Sequence, residues 1–233
     1  MDGRRLRFFR IAFSLRAFFL VVTLLCVGLG MLSNSIHRQR RAVSIIENAG
    51  GWAWISHDDN WWERIIGCEI LGGPYQVEFS TNPAVPGRAT DRQVAVVGEL
   101  NSTEYLDASF TDASDGAMEF IGRCRHLKYL NLRETCVTDE GMLHLRSLKL
   151  LEHLDLSGTE VGDRALAYVA GLKKLKYIGL SGTKVTNAGL QHLRGLYSLE
   201  SFAVDHTHVC ATSDELFELF KHLPQLRGLY TNF

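Results

Sequence analysis

Six apolar anchors fall at a nearly constant step: Leu106, Leu130, Leu154, Ile178, Phe202 and Leu229. The first five are 24 residues apart and the last step is 27. Elements packed singly around one core have no reason to keep such a step; a coil repeated and stacked on itself does. Around each anchor the chain reads roughly Leu-x-x-Leu-x-Leu-x-x-Thr-x-Val, then a polar turn, then a second apolar run. One such unit cannot bury its apolar edge alone, so it must bury it against its neighbours.

Each anchor starts a short strand, as in Leu130-Asn131-Leu132 and Leu154-Asp155-Leu156. Alternation sends the leucines inward and the residues between them outward. Stacked coils then make a parallel sheet on the concave side. Thr135, Thr159, Thr183 and Thr207 share one position, where a hydroxyl can bond the backbone of its own turn and of the next copy. Asp115, Asp139, Asp163, Asn187 and Asp214 precede the second apolar runs and read as helix caps. A metal reading of that row fails, because one acid per coil cannot converge on one ion. Helices are predicted on the convex side at 139–146, 163–169, 187–193 and 214–222.

The outward positions of the sheet form columns. One reads Tyr105, Tyr129, His153, Tyr177; the next reads Asp107, Asn131, Asp155, Gly179, Ala203; Arg133 and Asp205 belong to a third. Rings beside polar groups suit peptide and sugar contacts. The candidate binding residues are therefore Tyr105, Asp107, Tyr129, Asn131, Arg133, His153, Asp155, Tyr177 and Asp205. The plainer reading is that the rings stack across strands and shield the backbone.

Ahead of the repeats, residues 33–100 read as a juxtamembrane segment and cap. Residues 36–49 carry apolar positions at helical spacing and end at Gly50-Gly51. Residues 52–55 look extended, 61–68 helical, 75–79 a strand, 81–92 a loop and 94–97 a further strand. All four tryptophans lie between residues 52 and 62. They read as a plug over the open end of the stack, with a carbohydrate or peptide platform as the alternative.

Charge divides the chain. Residues 1–41 carry eight arginines against one acid, while residues 42–233 sum to −8. The acidic part lacks the basic stripe a nucleic-acid binder needs. Ala17 to Leu32 is sixteen residues without a charge; extended back to Ile11 it reaches 22. Residues 11–32 are thus expected to be a transmembrane signal anchor after a basic cytoplasmic segment, 1–10. A cleaved signal peptide is the alternative, with Ser33-Asn34-Ser35 a poor cleavage site. Arginine bias places the remainder outside a bacterial inner membrane, crossed once.

Catalytic patterns are missing. His153, Asp155 and Ser157 share a strand face, but steps of two residues put them about 7 Å apart, too far for a triad. No phosphate-binding glycine loop and no Cys-x-x-Cys occurs, and Cys124 stands where neighbouring copies carry Leu148 and Leu172. His206 and His208 lack a third ligand at usable spacing. No small-molecule cofactor is implied.

The grid resembles leucine-rich-repeat proteins. Its form Leu-x-x-Leu-x-Leu-Ser-Gly-Thr-x-Val, clearest at 151–174 and 175–198, is similar to the 24-residue repeats of planctomycete and related bacterial proteins. Phe13-Ser14-Leu15-Arg16 and the stretch from Ala42 to Gly51 also look like that group. The resemblance implies an α/β fold: a short horseshoe arc over 101–233, with a parallel sheet on the concave face, convex helices and an N-terminal transmembrane helix. It also implies a membrane-tethered scaffold, without catalytic residues, for an unknown protein or peptide. The competing reading is a structural envelope protein that self-associates; an enzyme site near His57 and Asp58 is a weaker one.

Overall fold

The computed structural model describes residues 15–55, 75–79, 88–100, 102–209 and 221–230. The helices expected at 61–68 and 214–222 lie wholly or mostly outside these residues, as do His57 and Asp58.

Helix α1 spans Leu15–Asn48. Gly50, at φ 80°, ends the run in a left-handed turn that a side chain would resist. The last turns of α1 pack on the domain through Gln39, Ala42 and Ile46, all buried. Among the described residues, no helix is long and apolar enough to cross a membrane. The expected anchor at 11–32 is therefore withdrawn, and with it the membrane tether, the membrane as partner and the inner-membrane location. The physical reason is length. Sixteen uncharged residues make about 24 Å of helix against a hydrocarbon core of about 30 Å. The extension that would close the gap, residues 11–14, lies outside the described residues. In the other direction α1 runs into Arg38, Arg40 and Arg41.

Among the described residues one sheet of eight strands runs in strict sequence order. Strands β1 (Trp52–Ile55) and β2 (Tyr75–Glu78) pair antiparallel. Every later neighbour pairs parallel: β3 (Thr103–Asp107), β4 (Tyr129–Asn131), β5 (His153–Asp155), β6 (Tyr177–Gly179), β7 (Ser201–Ala203) and β8 (Gly228–Tyr230). The anchors stack in register, Leu106 on Leu130, Leu154, Ile178, Phe202 and Leu229. The sheet is thus mixed at its N-terminal edge, where two strands without the repeat extend it.

The convex side alternates between helix types. Helices α3 (Asp115–Ile121) and α4 (Asp163–Val169) are α-helical, residues Gly141–Ser147 form a 3-10 helix, and α5 (Asn187–Leu190) passes into 3-10 geometry over Gln191–Gly195. In the cap, the strand expected at 94–97 is helical instead: α2 (Asp91–Val94) continues as a 3-10 turn over Ala95–Glu99. The valines suggested a strand, but Thr90 and Gln93 form a helix start, the Thr90 N–H donating to Gln93 Oε1 at 2.9 Å. Trp52 is 62% exposed and plugs nothing. Its position on β1, opposite Glu78, turns it away from the core, whereas Ala53 packs inward. Trp61 and Trp62 lie outside the described residues.

Polar rows bind each coil to itself and to the next. The threonine hydroxyls donate to the carbonyl three residues back in their own turns, as Thr135 does to Leu132 and Thr159 to Leu156, both at 2.6 Å. Thr111 joins the row, donating to Ala108 at 2.7 Å. The acids differ from expectation in a useful way. Asp115 and Asp163 are the first helical residues, and the caps before them are Ser114 and Gly162. Their carboxylates reach forward to the next coil: Asp163 accepts from the Thr186 N–H and hydroxyl, both at 2.7 Å. Asp115 does the same to Thr138 at 2.9 and 2.7 Å. Immediately before each row threonine, five coils among the described residues pass through a left-handed residue: Phe110, Glu134, Gly158, Gly182 and His206, with φ from 53° to 70°. Glycine relieves that strain in only two of the five turns.

Along the strand starts runs an alternating charge row, Glu104, Lys128, Glu152, Lys176, Glu200 and Arg227. Lys128 pairs with Glu104 at 2.8 Å and Lys176 with Glu152 at 2.6 Å. These groups are well exposed and screened by solvent, so the pairs contribute little to stability.

Candidate functional site: the concave face

Strand spacing near 4.8 Å sets equivalent side chains one ring thickness plus a little apart, and tilting closes the difference. The column expected from sequence forms a continuous ladder. Tyr105 stacks on Tyr129 with centroids 4.2 Å apart and planes at 10°. Tyr129 stacks on His153 at 4.3 Å and 11°, and His153 on Tyr177 at 4.3 Å and 13°. Each such contact is worth about 0.5–1.5 kcal/mol beyond area burial. The plainer reading of the rings, mutual stacking, is therefore physically real. It also means that the faces between neighbouring rings are occupied, so the ladder offers mainly its polar edges to a ligand.

Burial raises the phenols. Tyr105 is shifted up by burial and by Asp107. Tyr129 is shifted further, by burial first and then by Tyr105, with Asp107 and Asp155 adding to it. Both stay neutral donors across the physiological range. His153 is shifted down from its ordinary 6.5, because burial between the two tyrosines outweighs the attraction of Asp155. A depressed histidine contributes stability above its unfolded value and loses it as pH falls through the folded one. Thermal midpoints measured from pH 7.5 down to 5 should therefore decline once pH drops below about 6.5. His153→Tyr, which keeps the stack, should make that decline shallower; an unchanged slope would contradict the assignment.

The second column is held by its own turns. Asp107 accepts from the Ser109 N–H at 2.9 Å and from Asn131 Nδ2 at 3.0 Å. Asn131 accepts from the Arg133 N–H at 3.0 Å, and Asp155 from the Ser157 N–H at 2.9 Å. Asp155 leans over Gly179, where a Cβ would collide with its carboxylate. Asp155 and Ser157 thus build a turn and no triad. Arg133 and Asp205 sit at strand exits three coils apart, and the fold does not bring them together. Asp205 presents its N–H to the Ser181 hydroxyl at 3.1 Å.

Glu78 and Trp52 are residues of this face that were missed from sequence. Register places Glu78 beside Asp107, and Trp52 beside Glu78, in the same outward column. Neither lies in a repeat; only the alternation of Tyr75, Val77 and Phe79 hinted that Glu78 faces outward. Away from the face, Cys124 is buried and its thiol is pushed up to about 12 by burial, consistent with a packing role. Among the described residues, no group of three or more His, Cys, Asp or Glu is placed to hold a metal.

Parallel strands one per coil, with buried leucines stacked in columns and helical turns behind, define a leucine-rich solenoid. Residues 104–233 match the family model described as a leucine-rich repeat region, and the chain belongs to that family. The leucine-rich-repeat fold typically serves as a non-catalytic protein-interaction scaffold. No curated protein matches the chain. Among solved structures it is similar to internalin C2 of Listeria monocytogenes, at 21% identity and a TM-score of 0.51, covering 60% of this chain and 56% of that one. A second Listeria monocytogenes internalin matches at 18% identity and a TM-score of 0.49, over 63% of this chain and 39% of that one. A leucine-rich-repeat protein of Leptospira interrogans matches at 21% and 0.43, over 60% and 33%. The chain spans little more than half the length of the first of these and less of the others.

Proposed function

We propose that this chain is a binding module for a protein or peptide, and that its contact surface is the concave face built from Tyr105, Asp107, Tyr129, Asn131, Arg133, His153, Asp155, Tyr177 and Asp205. The observation that supports this most is the ring ladder. Four side chains are held in register by stacking, with hydroxyls and an imidazole along one edge. Groups already ordered lose little freedom when a ligand arrives, which favours affinity. The boundary between cap and repeats is taken near residue 100, and the constant step supports a place among the 24-residue repeats of planctomycete and related bacterial proteins.

Selection of random peptides displayed on phage against the whole chain tests the reading. Recovered peptides should bind a Tyr129→Ala, Tyr177→Ala double variant at least about tenfold more weakly, which is about 1.4 kcal/mol. Equal binding to a variant that keeps its fold by circular dichroism would remove the concave face from consideration.

A further inference from the structure

We propose that the partner of the concave face is a basic, extended peptide segment, recognised by an exposed indole and by unneutralised carboxylates that share one column of the sheet. The proposal rests on the concave-face reading above and names the chemistry of what it holds.

Cα pairing runs Trp52 to Glu78, Glu78 to Asp107, Asp107 to Asn131, and Asn131 to Asp155. Residues paired directly across a sheet share its face. The column therefore opens on an indole that is 62% exposed and continues with three carboxylates. No lysine or arginine occupies it. The ion pairs formed by the described residues lie elsewhere, at Lys128–Glu104, Lys176–Glu152, Lys184–Glu160, Arg164–Glu140 and Arg123–Glu119. Among the described residues, Glu78, Asp107 and Asp155 thus have no cationic partner. The hydrogen bonds at Asp107 and Asp155 come from amide groups, which orient the carboxylates without cancelling their charge.

That combination selects cations on a flexible backbone. A guanidinium can lie flat on the open face of Trp52 and fork onto a carboxylate; an ammonium does both less well. Cation–π contact is available at Trp52, whereas inside the ladder stacking occupies the ring faces between neighbours. The ladder hydroxyls lie one column away and can accept from the same ligand. Spacing agrees with an extended chain laid across the strands. From Glu78 to Asp155 is three strand spacings, about 14 Å, which matches side chains i and i+4 of an extended peptide. An acidic peptide or a polyphosphate backbone would meet like charge at Glu78, Asp107 and Asp155.

The test uses the whole chain and four labelled nonapeptides in which Ser alternates with Arg, Lys, Glu or Gln. Fluorescence anisotropy should rank Arg above Lys, with Glu and Gln at least tenfold weaker than Arg. Arg-peptide affinity should fall as salt rises from 50 to 300 mM. Asp107→Asn with Asp155→Asn keeps the turn-forming acceptors and should weaken the Arg peptide by tenfold or more; Trp52→Ala should weaken it three- to tenfold, with Trp52→Phe between. Binding of the Glu or Gln peptide as tight as that of Arg overturns the proposal, as does an unchanged affinity in the Asn double variant, or no binding of any of the four. The broader reading is judged separately by the phage-selected peptides. If those depend on Tyr129 and Tyr177 while the Arg peptide ignores the carboxylates, the face binds a different chemistry; if neither depends on the face, both readings fall.

Discussion

Phe202→Ala is expected to lower the free energy of unfolding by about 3–5 kcal/mol. Among the described residues Phe202 is the largest fully buried side chain, and it sits on β7 between Ile178 and Leu229 in the anchor column. Its ring therefore fills space shared by three coils. Removing it leaves a cavity that the fixed strand register prevents from closing, and the loss adds to the lost transfer energy. Phe202→Leu restores the residue type of four of the other five anchors and should cost less than half as much. Urea unfolding gives the magnitude. Hydrogen exchange gives the location, because coils in a solenoid couple mainly to their neighbours. The Leu180 N–H, bonded to the Ala203 carbonyl at 2.8 Å, should exchange faster, while the Ala108 N–H on Asn131 should change little. A loss below 1 kcal/mol, or one spread evenly over all coils, would contradict the column packing.

Asp163→Ala should cost about 2–4 kcal/mol, a large effect for a partly exposed polar residue. The carboxylate accepts two bonds from Thr186, and the Thr186 hydroxyl in turn accepts from the Ala188 N–H at 3.2 Å. One side chain thus sets the helix start of the following coil. Gly189 shows how closely the two coils approach there, since a Cβ would stand 2.9 Å from the Asp163 Cα. Asp163→Asn keeps an acceptor for the Thr186 N–H and should retain more than half of the stability lost in the alanine variant. Equal losses in the two would mean that the inter-coil bonds contribute little.

The repeat was legible because one physical demand, burial of a leucine edge against a like edge, recurs at a fixed step. Leu106 through Leu229 fell into one column as expected, and the ring ladder followed from the same arithmetic. What the period does not govern was harder to read. Asp163 and its equivalents look like caps for their own helices, and nothing in a single copy reveals that their carboxylates serve the next one. Val94 to Val97 reads as a strand by residue preference, yet Gln93 tips the segment into a helical turn. Trp52 and Glu78 lie outside the repeat, and antiparallel pairing across an intervening segment brings them onto the outward face of the sheet. The apolar run near the N-terminus was read by composition, where length decides: the described helix does not meet the requirement for crossing a membrane.

The alternating row from Glu104 to Arg227 has a use apart from its small contribution to stability. Near-identical coils can dock on the wrong neighbour, within one chain or between two copies. Skipping a single coil would set Glu104 against Glu152, or Lys128 against Lys176, and like charges in contact repel. Only an even-numbered slip restores attraction. The row therefore disfavours a one-coil slip and leaves a two-coil slip without that penalty.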